Sequence, residues 1–190
     1  MKKGISLDGQ FLRGFLIIFL AGTAIGFLVI NLGEDFFYQR AGIISEYYLR
    51  QYKYQATDGR ALLAEIAPKR LFWVLALSAA AVTDLALALM MIVILWAGAA
   101  GGIILGISIL KFGWEGVFFA VGAMLPHVCF YAAGFYLLMQ ELFLWMDQRK
   151  RLGSFSIRKA TKSFGLIFLG ILTESFLNPW MLSWLIDVIL

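Results

Sequence analysis

"LFWVLALSAAAVTDLALALMMIVILWAGAAGGIILGISIL", residues 71 to 110, runs for forty residues with one charge, Asp84. A straight helix of that length would be about 60 Å long, twice the hydrocarbon thickness of a bilayer. The stretch therefore reads as two spans folded back on each other. The break falls at Thr83-Asp84, a pair suited to a helix N-terminus, and the expected spans are 71–83 and 84–110.

Outward from this stretch the pattern repeats. Phe11 to Ile30 is an apolar block interrupted only by Arg13, close enough to its start to snorkel to the interface. Val117 to Met146 and Phe164 to Leu190 are two more. The chain of 190 residues is 62% hydrophobic and 15% charged, with a mean hydropathy of +0.84, more apolar surface than a soluble core of this size can hide. The expected fold class is an all-α integral membrane protein: one domain, a bundle of about five transmembrane helices (11–30, 71–83, 84–110, 117–146, 164–190), with an outer interfacial helix.

Basic residues in short loops set orientation. Between Asp147 and Ser163 lie Arg149, Lys150, Arg151, Arg158, Lys159 and Lys162 with Asp147 the one acid, and the amino-terminal stretch adds Lys2, Lys3 and Arg13. Both segments are expected in the cytoplasm, which an even number of crossings between α-helical ends allows only if 71–110 is a hairpin. Residues 31–70 and the "KFGWEG" turn then lie outside. The amino-terminal block is too long for a removed signal peptide and lacks a small-residue cleavage site. A single cysteine leaves no intrachain disulfide.

Gly22 and Gly26 in the first block, and Gly98, Gly102 and Gly106 in the third, keep the small-xxx-small spacing that lets membrane helices approach closely. Helix packing is the expected role. "GAAGGIILG" lacks the lysine of a phosphate-binding loop, so no nucleotide site is expected. In the outer segment, "FFYQRAGIISEYYLRQYKYQ" sets Phe37, Ile44, Tyr47, Tyr48 and Tyr52 among charges. That pattern suits an interfacial helix or a partner-docking surface. The basic segment 147–163 is expected to attract lipid headgroups; it is too brief to bind nucleic acid.

Ionisable groups inside a bilayer are costly, which singles out Asp84, His127, Glu141 and Glu174. His127, Gly134 and Glu141 recur at seven-residue spacing and share a helix face, a candidate polar seam. Pro126 is expected to kink its helix, with His127 as a polar plug facing Glu174; Pro179 leaves open whether residues 179–190 complete the last span or bend back. One His, one Cys and scattered carboxylates fall short of a metal centre, and His127 and Cys129 diverge on a helix. No metal, no cofactor and no catalytic residue is expected. A transporter or channel subunit, with Asp84, His127, Glu141 and Glu174 lining a path, remains the alternative to a packing role.

"GILTESFLNPWML", residues 170–182, resembles the carboxy-terminal signature of the stage II sporulation protein M family, a glycine, apolar residues, then Glu, an aromatic and a proline. "VGAMLPHVCFY" resembles that family's Leu-Pro-His stretch opening its fourth span, and "GGIILG" followed by "FGWEGV" its glycine-rich third span and turn. Many members have Gly after the His and Glu four residues on, where this chain has Val128 and Tyr131. The resemblance implies a multi-pass protein of the bacterial cell membrane with a cytoplasmic amino terminus. It further implies a non-enzymatic scaffold, similar to the membrane component of the engulfment complex that holds membrane-anchored peptidoglycan-degrading enzymes, and a homo-oligomer is possible.

Overall fold

A computed structural model describes residues 4–33, 58–83, 85–149 and 157–189. They form six helices: α1 (Gly4–Leu32), α2 (Gly59–Ala80), α3 (Ala86–Phe112), α4 (Trp114–Arg149), α5 (Ile157–Leu172) and α6 (Asn178–Ile189). A π-helical turn, Thr173–Leu177, joins the last two without interruption. No strand occurs among the described residues. Among the described residues, four stretches are long and apolar enough to cross a membrane: Gly9–Leu32, Ala86–Phe112, Trp114–Met146 and Ala160–Asp187. Leu20, Leu75, Phe118 and Trp180 stand exposed on the outside of the bundle, an apolar exterior that only lipid can solvate. The chain is an all-α integral membrane protein.

Local chemistry sets the helix ends. Asn31 returns its side-chain amide to the carbonyl of Phe27 at 2.8 Å, closing the last turn of α1. Asp58 caps α2 by accepting the amide of Arg60 at 2.9 Å. Between α2 and α3 the chain tightens over Ala81 to Leu85, where the Thr83 hydroxyl donates to the Ala80 carbonyl and accepts the Leu85 amide. The expected break therefore lies here, but α3 opens at Leu85 without a side-chain cap. Asp84 lies outside the described residues. The turn into α4 is built on Gly113, whose φ of 58° is one an L side chain rarely adopts.

Two boundaries differ from the sequence expectation. Gly59 to Arg70 belong to α2 rather than to an outer loop reaching residue 70, because Asp58 starts the helix a dozen residues before the charges end. The helix of 117–146 begins at Trp114 and runs to Arg149. Past Pro179, where the sequence leaves both outcomes open, the chain continues as helix and does not bend back. The proline sits second in α6, where its missing amide costs a helix start little, and the distortion is displaced into the π-helical turn before it.

The glycines join α1 to α3. A Cβ on Gly22 or Gly26 would collide with the carbonyls of Leu95 and Ala99, and one on Gly98 or Gly102 with those of Phe19 and Thr23. At Gly106 the neighbour is the Ile30 side chain, whose Cβ would lie 3.0 Å away. Both series rise together, so α1 and α3 run parallel. Every other neighbour on this path is antiparallel: Trp73 meets Trp96 edge-on at 5.5 Å across α2 and α3, and Phe112 meets Phe119 at 6.0 Å across α3 and α4. On α4, Gly134 admits Ile167 of α5, and Ser163 donates to its carbonyl at 2.7 Å. Further along, Gly122 admits Leu185 of α6. The core is continuous, with Val74 and Leu77 of α2, Met90 and Ile94 of α3, Leu138 and Leu142 of α4, and Ile167 and Ile171 of α5. Phe11 of α1 reaches Phe143 at 5.5 Å, which places the start of α1 beside the end of α4.

Candidate functional site

The sharpest departure from an apolar interior lies where α2, α4 and the π-helical turn meet. Arg70 donates from Nη2 to Glu174 Oε1 at 2.6 Å and from Nε to Oε2 at 3.1 Å. Tyr131 donates its hydroxyl to the same Oε2 at 2.5 Å. The guanidinium also lies over the Tyr131 ring, 4.8 Å from its centre. One carboxylate thus takes three donors, and one tyrosine both supplies a donor and offers its face to the cation.

Helix registers fix the depth of this cluster. Tyr131 is near the midpoint of Trp114–Met146 and Glu174 near that of Ala160–Asp187. Gly98 faces Phe19 and Thr23, halfway along α1, while Trp96 beside it touches Trp73 of α2. Arg70 therefore sits at mid-bundle depth as well. An ion pair at that depth is expensive, so its geometry matters: the bidentate fork and the tyrosine together satisfy the carboxylate.

Glu174 owes its direction to the π-helical turn. Pro179 cannot donate to the carbonyl of Ser175, and its ring crowds that carbonyl. The turn widens, the amide of Asn178 reaches back to the carbonyl of Thr173, and Ser175 returns its hydroxyl to Ile171 at 2.8 Å. π-Helical turns of this kind concentrate at functional sites. Close packing then brings α4 within reach: a Cβ on Gly170 would lie 2.7 Å from the Tyr131 ring, so only glycine leaves room for it.

His127, one turn from Tyr131, is 6.1 Å from it between ring centres and edge-on. His127 and Glu174 lie close enough to interact electrostatically, as expected of facing groups, but the hydrogen bond to Glu174 from α4 comes from Tyr131. Its hydroxyl extends farther from α4 than an imidazole does. Nδ1 of His127 is instead buried without a hydrogen-bond partner, and so is Oδ1 of Asn178. With Glu174 opposite Tyr131 and Leu185 opposite Gly122, the register puts Asn178 near the level of His127.

The remaining candidates scatter. Pro126 lies within α4, which continues through it. Gly134 and Glu141 are both buried on α4, but Leu138 and Met139 are buried between them, so no continuous polar seam joins His127 to Glu141. Cys129 is exposed, pointing away from His127's neighbours. Phe37, Tyr47, Tyr48 and Tyr52 lie outside the described residues, as does Asp84. Sequence reasoning missed Arg70 and Tyr131. The available signal was Glu174 itself: an acid inside an apolar block needs a cation, and Arg70 is the last charge before the forty-residue stretch begins. Compared with protein-family models, curated proteins and solved structures, the chain matches none of them.

Proposed function

We propose that the chain is a non-enzymatic, multi-pass scaffold of the bacterial cell membrane whose segment between α1 and α2 docks extracellular peptidoglycan-degrading enzymes. The observation that supports this most is the parallel, backbone-to-backbone seating of α1 on α3. With α2 antiparallel to α3, α1 ends and α2 starts toward the same side, with a closed end on α1 and a capped start on α2. A rigid bracket around a tyrosine-rich segment is what a docking surface needs. The contact of Phe11 with Phe143 sets the start of α1 beside the end of α4, and the basic residues that adjoin both in the sequence support a cytoplasmic amino terminus. The likeness to the sporulation family supplies the class of partner. Affinity purification from detergent-solubilised cells, with and without residues 36–55, tests it: hydrolases should co-purify with the full chain alone, and equal recovery from both would remove the segment from consideration.

A second reading, a small transporter or channel subunit, draws on the mid-depth cluster of Arg70, Glu174, Tyr131 and His127. Proteoliposome flux separates the two. Flux present in the wild type and lost in both Glu174→Gln and His127→Ala would favour transport over scaffolding.

A further inference from the structure

The exposed face of α2 does not suit lipid. A Cβ on Gly59 would meet the Phe176 ring at 2.6 Å and the Ser175 carbonyl at 3.1 Å, so α2 starts at the level of the π-helical turn, well inside the span Ala160–Asp187. Arg60, Glu65 and Lys69 lie between that level and Arg70, and all three are exposed. The ion pair of Lys69 with Glu65, at 2.6 Å, leaves their side chains 67% and 64% exposed. Charges at such a depth are costly against hydrocarbon. Toward its other end the same face carries Leu71, Phe72 and Leu75, which water does not suit. A protein surface suits both halves.

The spacing along this face selects the partner. Ala61, Ala64, Pro68, Leu71 and Leu75 are all exposed and follow one another at alternating steps of three and four residues, the a and d positions of a heptad seam. Val74 and Leu77, which face the core, fall outside it. In that register Arg60 stands at g and Glu65 at e, five residues on. Where two helices run parallel, a g residue of one pairs with the e residue of the next heptad on the other. A membrane gives two copies of one chain the same orientation, so a two-fold axis between them stands normal to the bilayer and brings α2 to α2 in parallel. Arg60 of each copy then meets Glu65 of the other, twice by symmetry, and the alanines let the two backbones approach at that level.

We propose that α2 is the contact between two copies of this chain, packed in parallel through Ala61, Ala64, Pro68, Leu71 and Leu75, with Arg60 and Glu65 pairing reciprocally across the seam. Glu65 is then shared between Lys69 of its own helix and Arg60 of the second copy, and charges that face outward from one bundle are enclosed between two. The face used is turned away from Glu174 and Tyr131, so the pairing leaves the Arg70 cluster intact and rests on neither functional reading.

The test uses the full chain with Cys129→Ser, diluted in phosphatidylcholine liposomes, carrying a single cysteine at Ala64 or Leu75 on the seam or at Leu20 on the exposed side of α1. Oxidation with copper phenanthroline, read as disulfide-linked dimer on a denaturing gel, should trap Ala64→Cys and Leu75→Cys several-fold faster than Leu20→Cys. In the Ala64→Cys chain, Glu65→Arg should slow trapping several-fold by setting Arg60 against a like charge, and Arg60→Glu together with Glu65→Arg should restore it. Trapping at Ala64 and Leu75 no faster than at Leu20 means chance collision or a face covered by something other than a second copy, and overturns the dimer. Fast trapping that Glu65→Arg leaves unchanged, or a loss that the charge swap does not restore, overturns the reciprocal ion pair. The comparison of seam with α1 is made with both charges in place, so it stands whether or not the arginine variant folds.

Discussion

Removing one member of a buried ion pair strands the other, and Glu174 is vulnerable in this way because three donors converge on it. Glu174→Ala is expected to cost about 3 kcal/mol of unfolding free energy in bicelles, the lower end for broken buried pairs because Arg70 retains some solvent. Replacing both partners by Met should restore most of that loss, which a double-mutant cycle measures directly; an additive double mutant would show that the pair is not coupled. Tyr131→Phe keeps the ring under the guanidinium and removes one donor, so a smaller loss, about 1 kcal/mol, is expected from the same measurement. The sequence made Glu174 conspicuous because a carboxylate in an apolar block is rare. It hid Arg70, which looks like the end of a polar segment until helical geometry carries it to mid-depth.

At the scale of the element, glycine spacing was legible and partner choice was not. Five glycines at four-residue intervals announce a face without side chains, whatever helix meets it. That α1 and α3 meet each other, in parallel, depends on the register of carbonyls along both backbones, which no periodicity encodes. Gly102→Val would force atoms into the Thr23 carbonyl and is expected to cost about 1–3 kcal/mol or separate the two helices. Gly165→Ala, with open space at the Cβ position, should leave stability unchanged or slightly raised; thermal unfolding of the two variants side by side makes the comparison. The π-helical turn was likewise invisible as such. Pro179 left the course of the last span open; a proline second in a helix passes its distortion backward to the turn around Ser175 rather than breaking the chain where it stands.

For the whole molecule, the all-α class and four of the five expected spans were readable from the length of apolar blocks, since hydrocarbon thickness acts as a ruler. The exception is α2, whose charged first half hid most of a helix and whose length emerges only when Asp58 is seen to cap it. The parallel pair of α1 and α3 requires an even number of reversals between them, here two, so Gly33 and Gly113 should face the same side and Thr83 the other. Single-cysteine labelling of right-side-out vesicles, again with Cys129→Ser, checks this. Labelling of Thr83→Cys together with Gly33→Cys from outside would contradict the topology.

The glycine seam also dictates an order of events during synthesis. Its first strip, on α1, leaves the ribosome some seventy residues before its partner on α3 does. Until then α1 stands in the bilayer with a bare backbone groove turned to lipid, unable to settle. Completion of α3 is thus the moment at which the nascent bundle acquires its first fixed pair, and a pause in translation beyond residue 112 would capture a docked hairpin, while a pause before residue 98 would leave α1 open to misassociation with any other glycine-faced helix in the membrane.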